Sequence, residues 1–246
     1  MSAIASDIVA EAQRLLGAAE EAGVPLRALG GVAVSLRTPE VPAPLMRAFG
    51  DLDFAAARGS SREVRSLLED AGYAPDEAFN TLHGQRRLIY LDAANARKLD
   101  VFVGEFSMCH KVPLDRIELE PLTLPLAELL LTKLQIVELN EKDVQDVLAL
   151  LQGHDIAEAD GETISMARVA ELCAADWGLW RTFTANVAEC RDRAGGYDLE
   201  DVVHARVAER ADHLLTRIEE EPKSRGWKLR ARVGERVRWY ELPEEV

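Results

Sequence analysis

The sequence is short of the residues that mark several protein classes. Three cysteines in 246 residues, Cys109, Cys173 and Cys190, are too few and too scattered for a disulfide framework and lack zinc-ligand spacing. They are expected as reduced packing residues of a cytosolic protein. No stretch reaches the roughly 20 apolar residues that a membrane-spanning helix needs. Asp7 and Glu11 stand where a secretion signal would carry positive charge, so a cytoplasmic location with no membrane partner is expected. Positive charge is scarce too: 29 Lys and Arg against 43 Asp and Glu give a formal net charge of −14. That argues against a surface that grips nucleic acid over its whole extent. Aromatic residues make up only 6%.

What is present is enough for a core, since 48% of the residues are hydrophobic and the length suits one or two packed domains. Ile8, Ala12, Leu15, Leu16 and Ala19 recur at helical spacing, predicting a helix over 5–22 that ends at Gly23. A short strand follows at Pro25–Gly30, and Val32–Leu36 starts a helix or a turn. Pro39, Pro42 and Pro44 mark a loop. Leu52–Ala57 reads as a strand, and Ser60 or Ser61 can cap a helix that stops near Gly72. Arg87–Leu91 and Leu99–Val103 read as strands joined by a polar segment of hairpin length.

From Leu126 the pattern turns helical, over roughly 126–139, 141–152, 163–175, 177–191 and 198–221, with no strand signal before the tail. There Lys228, Arg230 and Arg232 alternate with Leu229, Ala231 and Val233, predicting a terminal β-hairpin that turns at Gly234-Glu235. The expected architecture is α+β: a mixed β-sheet with flanking helices over residues 1–122, followed by a mainly helical region over 123–246 with a basic tail. In that tail, between Lys223 and Arg238, seven basic residues stand against one acid.

Acidic pairs one residue apart are common in so acidic a chain, and Glu118-Leu-Glu120 carries no signal. Asp51-Leu-Asp53 differs in context. It lies at the start of a strand, twenty residues after Gly30-Gly31, and Asp100 sits in the middle of another strand. Residues i and i+2 share a strand face, so Asp51 and Asp53 can converge on one cation or a pair, and Asp100 from an adjacent strand completes the set. Asp100 lies in an otherwise apolar run, and a buried carboxylate must be compensated. Magnesium (Mg2+), which takes a few carboxylates together with phosphates and water, is the expected partner.

These residues resemble the DNA polymerase β-like nucleotidyltransferase superfamily, whose signature is Gly-Gly or Gly-Ser, then Asp-x-Asp, then a later strand aspartate. The resemblance implies a nucleotidyltransferase-like fold that moves a nucleoside monophosphate from a nucleoside triphosphate to an acceptor hydroxyl. It assigns Asp51 and Asp53 to the catalytic metals, Asp100 to metal and acceptor hydroxyl, and Gly30 and Gly31 to close approach of the phosphates. Within the superfamily the chain looks most like the AbiEii/AbiGii toxin-type branch. Arg47 stands four residues before Asp51, and Lys133 precedes Lys142-Asp143-Val-Gln-Asp146. By this resemblance Lys133 contacts the triphosphate, and Asp143 or Asp146 orients Lys133 or Arg47. The acceptor would be RNA, a protein or a small molecule, and a cognate antitoxin would be a partner.

Other readings remain open beside these. The fold can serve an antibiotic-modifying nucleotidyltransferase of the aminoglycoside or lincosamide type, or a non-catalytic nucleotide-binding module. Lys133 can snorkel its charge out of an apolar helix, and Asp143 and Asp146 can form a solvated helical face. Cys109 and His110, adjacent on a strand, point to opposite faces and are taken as structural. Trp177, Trp180 and Phe183 recur at helical spacing and are taken as core. The basic tail, with Trp227, Trp239 and Tyr240 interleaved, is either a solvated face offsetting the acidic helices or a cradle for RNA.

Overall fold

The computed structural model describes residues 4–242. The chain forms two compact units. One takes the chain up to Arg37 together with Ala48–Phe106 and Val112–Pro125; the other takes Thr38–Arg47, Ser107–Lys111 and the chain from Leu126 onward.

In the first unit Asp7 caps helix α1 (Ile8–Glu21) by accepting a hydrogen bond from the Ala10 amide. The stripe Ala12, Leu15, Leu16 and Ala19 is buried, and Gly23 leaves the helix at φ +67°. The predicted helix therefore forms, starting three residues later than the predicted residue 5 because the cap sits at Asp7. A five-stranded sheet follows: β1 (Leu26–Leu29), β2 (Leu52–Ala56), β3 (Ala74–Pro75), β4 (Arg87–Asp92) and β5 (Arg97–Val103), in the order β1-β2-β5-β4-β3. Only the β2–β5 pair is parallel. Beyond β1, Leu122 and Leu124 exchange backbone hydrogen bonds with Ala28 and cover that edge. Phe54, Leu88, Tyr90, Leu99 and Val101 fill the core.

Helices α2 (Gly30–Arg37), α3 (Ser61–Asp70) and α4 (Glu77–His83) complete this unit. Ser60 precedes α3, but its hydroxyl donates to the Ala57 carbonyl instead of capping the helix. Helix α4 carries no clear sequence signal; Asp76 caps it, and the Asn80 side chain bonds both the amide and the carbonyl of Ile89, clamping it to β4. The predicted hairpin between β4 and β5 forms, closed by a buried Asp92–Arg97 ion pair of 2.6 Å.

The second unit is helical: α5 (Leu126–Leu134), α6 (Glu141–Gly153), α7 (Met166–Ala175), α8 (Trp177–Arg193), α9 (Asp201–Glu220) and α10 (Arg225–Val233). Helix α5 ends five residues before the predicted end because Asn186 Nδ2 donates to the carbonyls of Leu134 and Ile136. On α9, Val207, Ala211, Leu214 and Ile218 form the buried stripe. A short parallel bridge, Ile156–Ala157 with Ile164–Ser165, precedes α7 and carried no strand signal. Among the described residues no helix is long and apolar enough to cross a membrane.

The predicted tail hairpin does not form. Residues Arg225–Val233 are helical and Gly234–Arg236 make a single 3-10 turn. The alternation of Lys, Leu, Arg and Ala misled because it is also compatible with a helix whose face repeats at i and i+3. Ser224 caps that helix by accepting from the Trp227 amide, and Trp227 and Arg230 meet Trp180 and Trp177 of α8. A helix satisfies its own backbone where a strand would need a partner.

Two buried acids make the first unit pH-sensitive. Burial alone would raise the pKa of Glu11, but hydrogen bonds from Arg14, the Ala5 amide and Tyr73 outweigh it and hold the carboxyl below its ordinary value. Asp92 is held low against its burial in the same way, by Arg97 and Asn95. A carboxylate with a depressed folded pKa contributes stability that is present above its unfolded value, near 4 in round terms, and lost as pH falls through the folded value. Urea midpoints should therefore fall from about pH 4 downward, and Glu11→Gln should flatten that decline while lowering stability at pH 7.

Candidate active site

The sheet sets two of the sequence-predicted aspartates, Asp53 and Asp100, side by side. Strand β1 ends at Leu29, which pairs with Asp53 across the antiparallel ladder, and Asp53 pairs with Asp100 across the parallel one. Registered neighbours project to one face, so Asp53 and Asp100 stand side by side, and Asp51 lies just before β2. Asp51 is exposed, Asp53 half-buried and Asp100 buried. Gly30 opens α2 at φ +69°, where a Cβ would lie 3.2 Å from Asp53 Cγ and closer still to Oδ2. Only glycine meets both demands, the left-handed backbone and the close approach to the carboxylate. Gly31 is buried as the next residue of α2.

Asp100 has a partner that the sequence reading missed. The Arg87 guanidinium grips it in a bidentate fork, Nε to Oδ1 at 2.8 Å and Nη2 to Oδ2 at 2.6 Å, and Lys98 Nζ lies 3.7 Å from Oδ2. Phe79 and Phe102 flank the guanidinium at 5.7 and 4.9 Å from their ring centroids. The burial of Asp100 is thus compensated by a fixed cation of the chain itself, and burial alone does not require a metal there. Pairing Arg87–Leu91 against Leu99–Val103 in register would have found this contact, because Ile89 faces Asp100 and Arg87 lies two residues away on the same face.

The donor set fits magnesium in a limited sense. Among the described residues no group of three or more His, Cys, Asp or Glu is gathered to hold a metal ion. Magnesium bound with a nucleotide takes one or two carboxylates and fills its other positions with phosphate and water. Asp51 and Asp53 supply hard oxygens within reach of solvent, beside a backbone that carries no Cβ at Gly30.

In the second unit Arg47, Lys133, Asp143 and Asp146 form one network. Arg47 forks onto Asp146 at 2.8 and 2.6 Å. Lys133, in the last turn of α5, lies 2.8 Å from Asp146 and 3.1 Å from Asp143. Asn140 caps α6 by accepting from the Asp143 amide, which places Asp143 in the first turn and Asp146 one turn later. Burial works to lower the pKa of Lys133, but Asp146 and Asp143 outweigh it and hold it above the ordinary lysine value. The lysine is therefore a fixed ammonium, and Asp146 orients both cations.

Elsewhere, His110 is buried, with Nε2 2.8 Å from the Thr182 hydroxyl and its amide donating to Gln135. Burial pulls its pKa down against the pull of Asp176 and Glu241. Cys109 is buried and free. Trp177 and Phe183 are buried, while Trp180 is half-buried and donates its indole N–H to Glu219.

Residues 5–115 match the family model described as "Uncharacterised nucleotidyltransferase". The match spans α1, the whole sheet and all three aspartates, and it supports a nucleotidyltransferase-superfamily domain in this segment. No curated protein matches the chain.

Two substitutions probe this geometry. Gly30→Ala should cost roughly 1–3 kcal/mol in urea unfolding, from the left-handed backbone together with overlap on Asp53. Asp146→Ala removes a partner from both Arg47 and Lys133, where Asp143→Ala removes one from Lys133 alone. The first should destabilise by about 3–5 kcal/mol and the second by clearly less; equal losses would contradict the shared role of Asp146.

Proposed function

We propose that the protein catalyses magnesium-dependent transfer of a nucleoside monophosphate from a nucleoside triphosphate to an acceptor hydroxyl. The observation that carries this reading is the registered carboxylate pair Asp53 and Asp100 on β2 and β5, with Gly30 closing on Asp53. The family match over the same residues supports it. Asp51 and Asp53 would hold the metal. Bound there, magnesium would neutralise triphosphate charge and help orient it for in-line displacement.

The chain's own contribution is positioning and fixed charge. Gly30 keeps the approach to Asp53 open. Arg87 holds the Asp100 carboxylate in one orientation, and each of its oxygens keeps a lone pair for the acceptor hydroxyl or for a metal-bound ligand. Arg47 and Lys133, which the toxin-type resemblance assigns to the triphosphate, are oriented by Asp146, and Asp146 and Asp143 hold Lys133 charged. The same resemblance extends the proposal to an acceptor hydroxyl on RNA or a protein and to a cognate antitoxin.

The reaction is tested by incubating the protein with each labelled nucleoside triphosphate, magnesium, and total RNA or cell lysate. The native chain should label an acceptor and release pyrophosphate, and Asp51→Ala/Asp53→Ala should reduce labelling by about 100-fold or more. Equal labelling by both proteins would remove the catalytic assignment. Nucleotide binding that survives Asp53→Ala, with no pyrophosphate release on any acceptor, would favour a non-catalytic module.

A further inference from the structure

The four tryptophans of the chain gather in one place in the second unit. Trp177 lies 6.2 Å from Trp180 and 6.3 Å from Trp239, and Trp180 lies 5.1 Å from Trp227. Tyr240 stands edge-on to Trp239 at 5.4 Å. A core cluster would be buried, but of these residues only Trp177 is; the others are half-exposed. Trp177, Trp227, Trp239 and Tyr240 line a cavity of about 470 Å³, within the roughly 300–1,000 Å³ typical of small-ligand sites.

The walls are built, not incidental. Arg230 donates to the carbonyls of Gly234 and Val237 and so fixes the turn that follows α10. The Glu241 amide donates to the Cys109 carbonyl, and Trp239 Nε1 donates to Thr182. Gly178 is required by the same arrangement, since a Cβ there would meet the Trp239 carbonyl at 2.5 Å.

The chemistry of the lining selects the ligand. Arg230 lies 4.7 Å above the Trp177 ring and Arg238 5.8 Å from the Tyr240 ring, so cations of the chain already occupy those faces. The two acids are engaged: Asp176 caps α8 and Glu241 lies 3.9 Å from Lys111. A ligand cation therefore has neither an open cage nor an uncommitted carboxylate. Lys111, Arg230 and Arg238 outnumber Asp176 and Glu241, which favours an anion. Among the described residues Trp227 Nε1 is a buried donor with no acceptor, a state that costs free energy until an acceptor arrives.

We propose that this cavity binds a nucleobase with its attached phosphate. The base stacks against the Trp239 ring, an acceptor atom of the ligand takes the Trp227 indole N–H, and exposed Arg238 takes the phosphate. Aromatic stacking beside a cationic groove is how single strands are held without sequence readout. The same chemistry arrives either as a free mononucleotide or as single-stranded RNA. The site is separate from the transfer reaction proposed above and stands or falls without it.

Trp177, Trp227 and Trp239 line this cavity and Trp180 packs against two of them, so intrinsic fluorescence of the full-length protein is the readout. The titrants are adenosine 5′-monophosphate, an oligoadenylate RNA hexamer, a blunt RNA duplex and inorganic phosphate, in buffer with a chelator to exclude magnesium-dependent nucleotide binding. Saturable quenching is expected with the monophosphate, the hexamer or both. Tighter binding of the hexamer identifies the strand as the source, and comparable binding identifies the free nucleotide. Trp239→Ala should weaken binding by about 5-fold or more, the low end of one lost base stack, and Arg238→Gln by about 10-fold. Trp239→Phe, which keeps a stacking ring, should retain most of the affinity and covers the case in which the alanine variant misfolds. The proposal is overturned if neither nucleotide probe quenches saturably, if the duplex or phosphate alone binds as well as the best nucleotide probe, or if Arg238→Gln binds like the native chain.

Discussion

A carboxylate taken out of water must meet a cation or several donors, and much of this structure is arranged around that cost. The chain is strongly acidic, yet each of the buried carboxylates Glu11, Asp92, Asp100, Glu128, Asp143 and Asp146 has an arginine or lysine against it. These pairs tie elements together: Asp92 and Arg97 close the β4–β5 hairpin, Arg87 locks β4 onto Asp100 of β5, and Glu128 and Arg168 join α5 to α7. Asp146 links Arg47, from the proline-rich segment, to Lys133 of α5.

The same constraint separates the aspartates of the candidate site. Asp100 is deep in the sheet and forked by Arg87, so its carboxylate has one orientation. Asp51 is exposed and Asp53 half-buried, so water and solutes reach them. The three acids that look equivalent as a motif thus differ in environment. Two are suited to exchangeable ligands and one to a fixed role beside them. Gly30 contributes by lacking a side chain, because the backbone comes so close to Asp53 that a methyl group has no room.

Much of the first unit was legible because its signals are local. The apolar runs at 52–57, 87–91 and 99–103 have the length and β-branched or aromatic content of strands, and they form strands. The strand that carries Asp53 was legible without knowledge of its partner strands, while Asp51 lies just before it. Arg87 was invisible because nothing in its own neighbourhood distinguishes it from the arginine beside it; its role arises from pairing across a hairpin. The tail was misread for the opposite reason. Its period-2 pattern was local and real, but the contacts of Trp227 with Trp180 and of Arg230 with Trp177 decide for a helix, and they come from a segment some fifty residues earlier.

By itself the sequence determined the α+β class, the strands that carry Asp53 and Asp100, and the helical pattern after Leu126; the grouping of Arg47 and Lys133 with aspartates was implied only by the family resemblance. The first three follow from periodicity and spacing, which depend on bond geometry along one segment. Only the tertiary structure decided which cation neutralises which acid, why position 30 must be glycine, and that the tryptophans scattered from 177 to 239 meet around one cavity. Each of these depends on distances between residues far apart in the chain, and such distances are set by strand register and helix packing together.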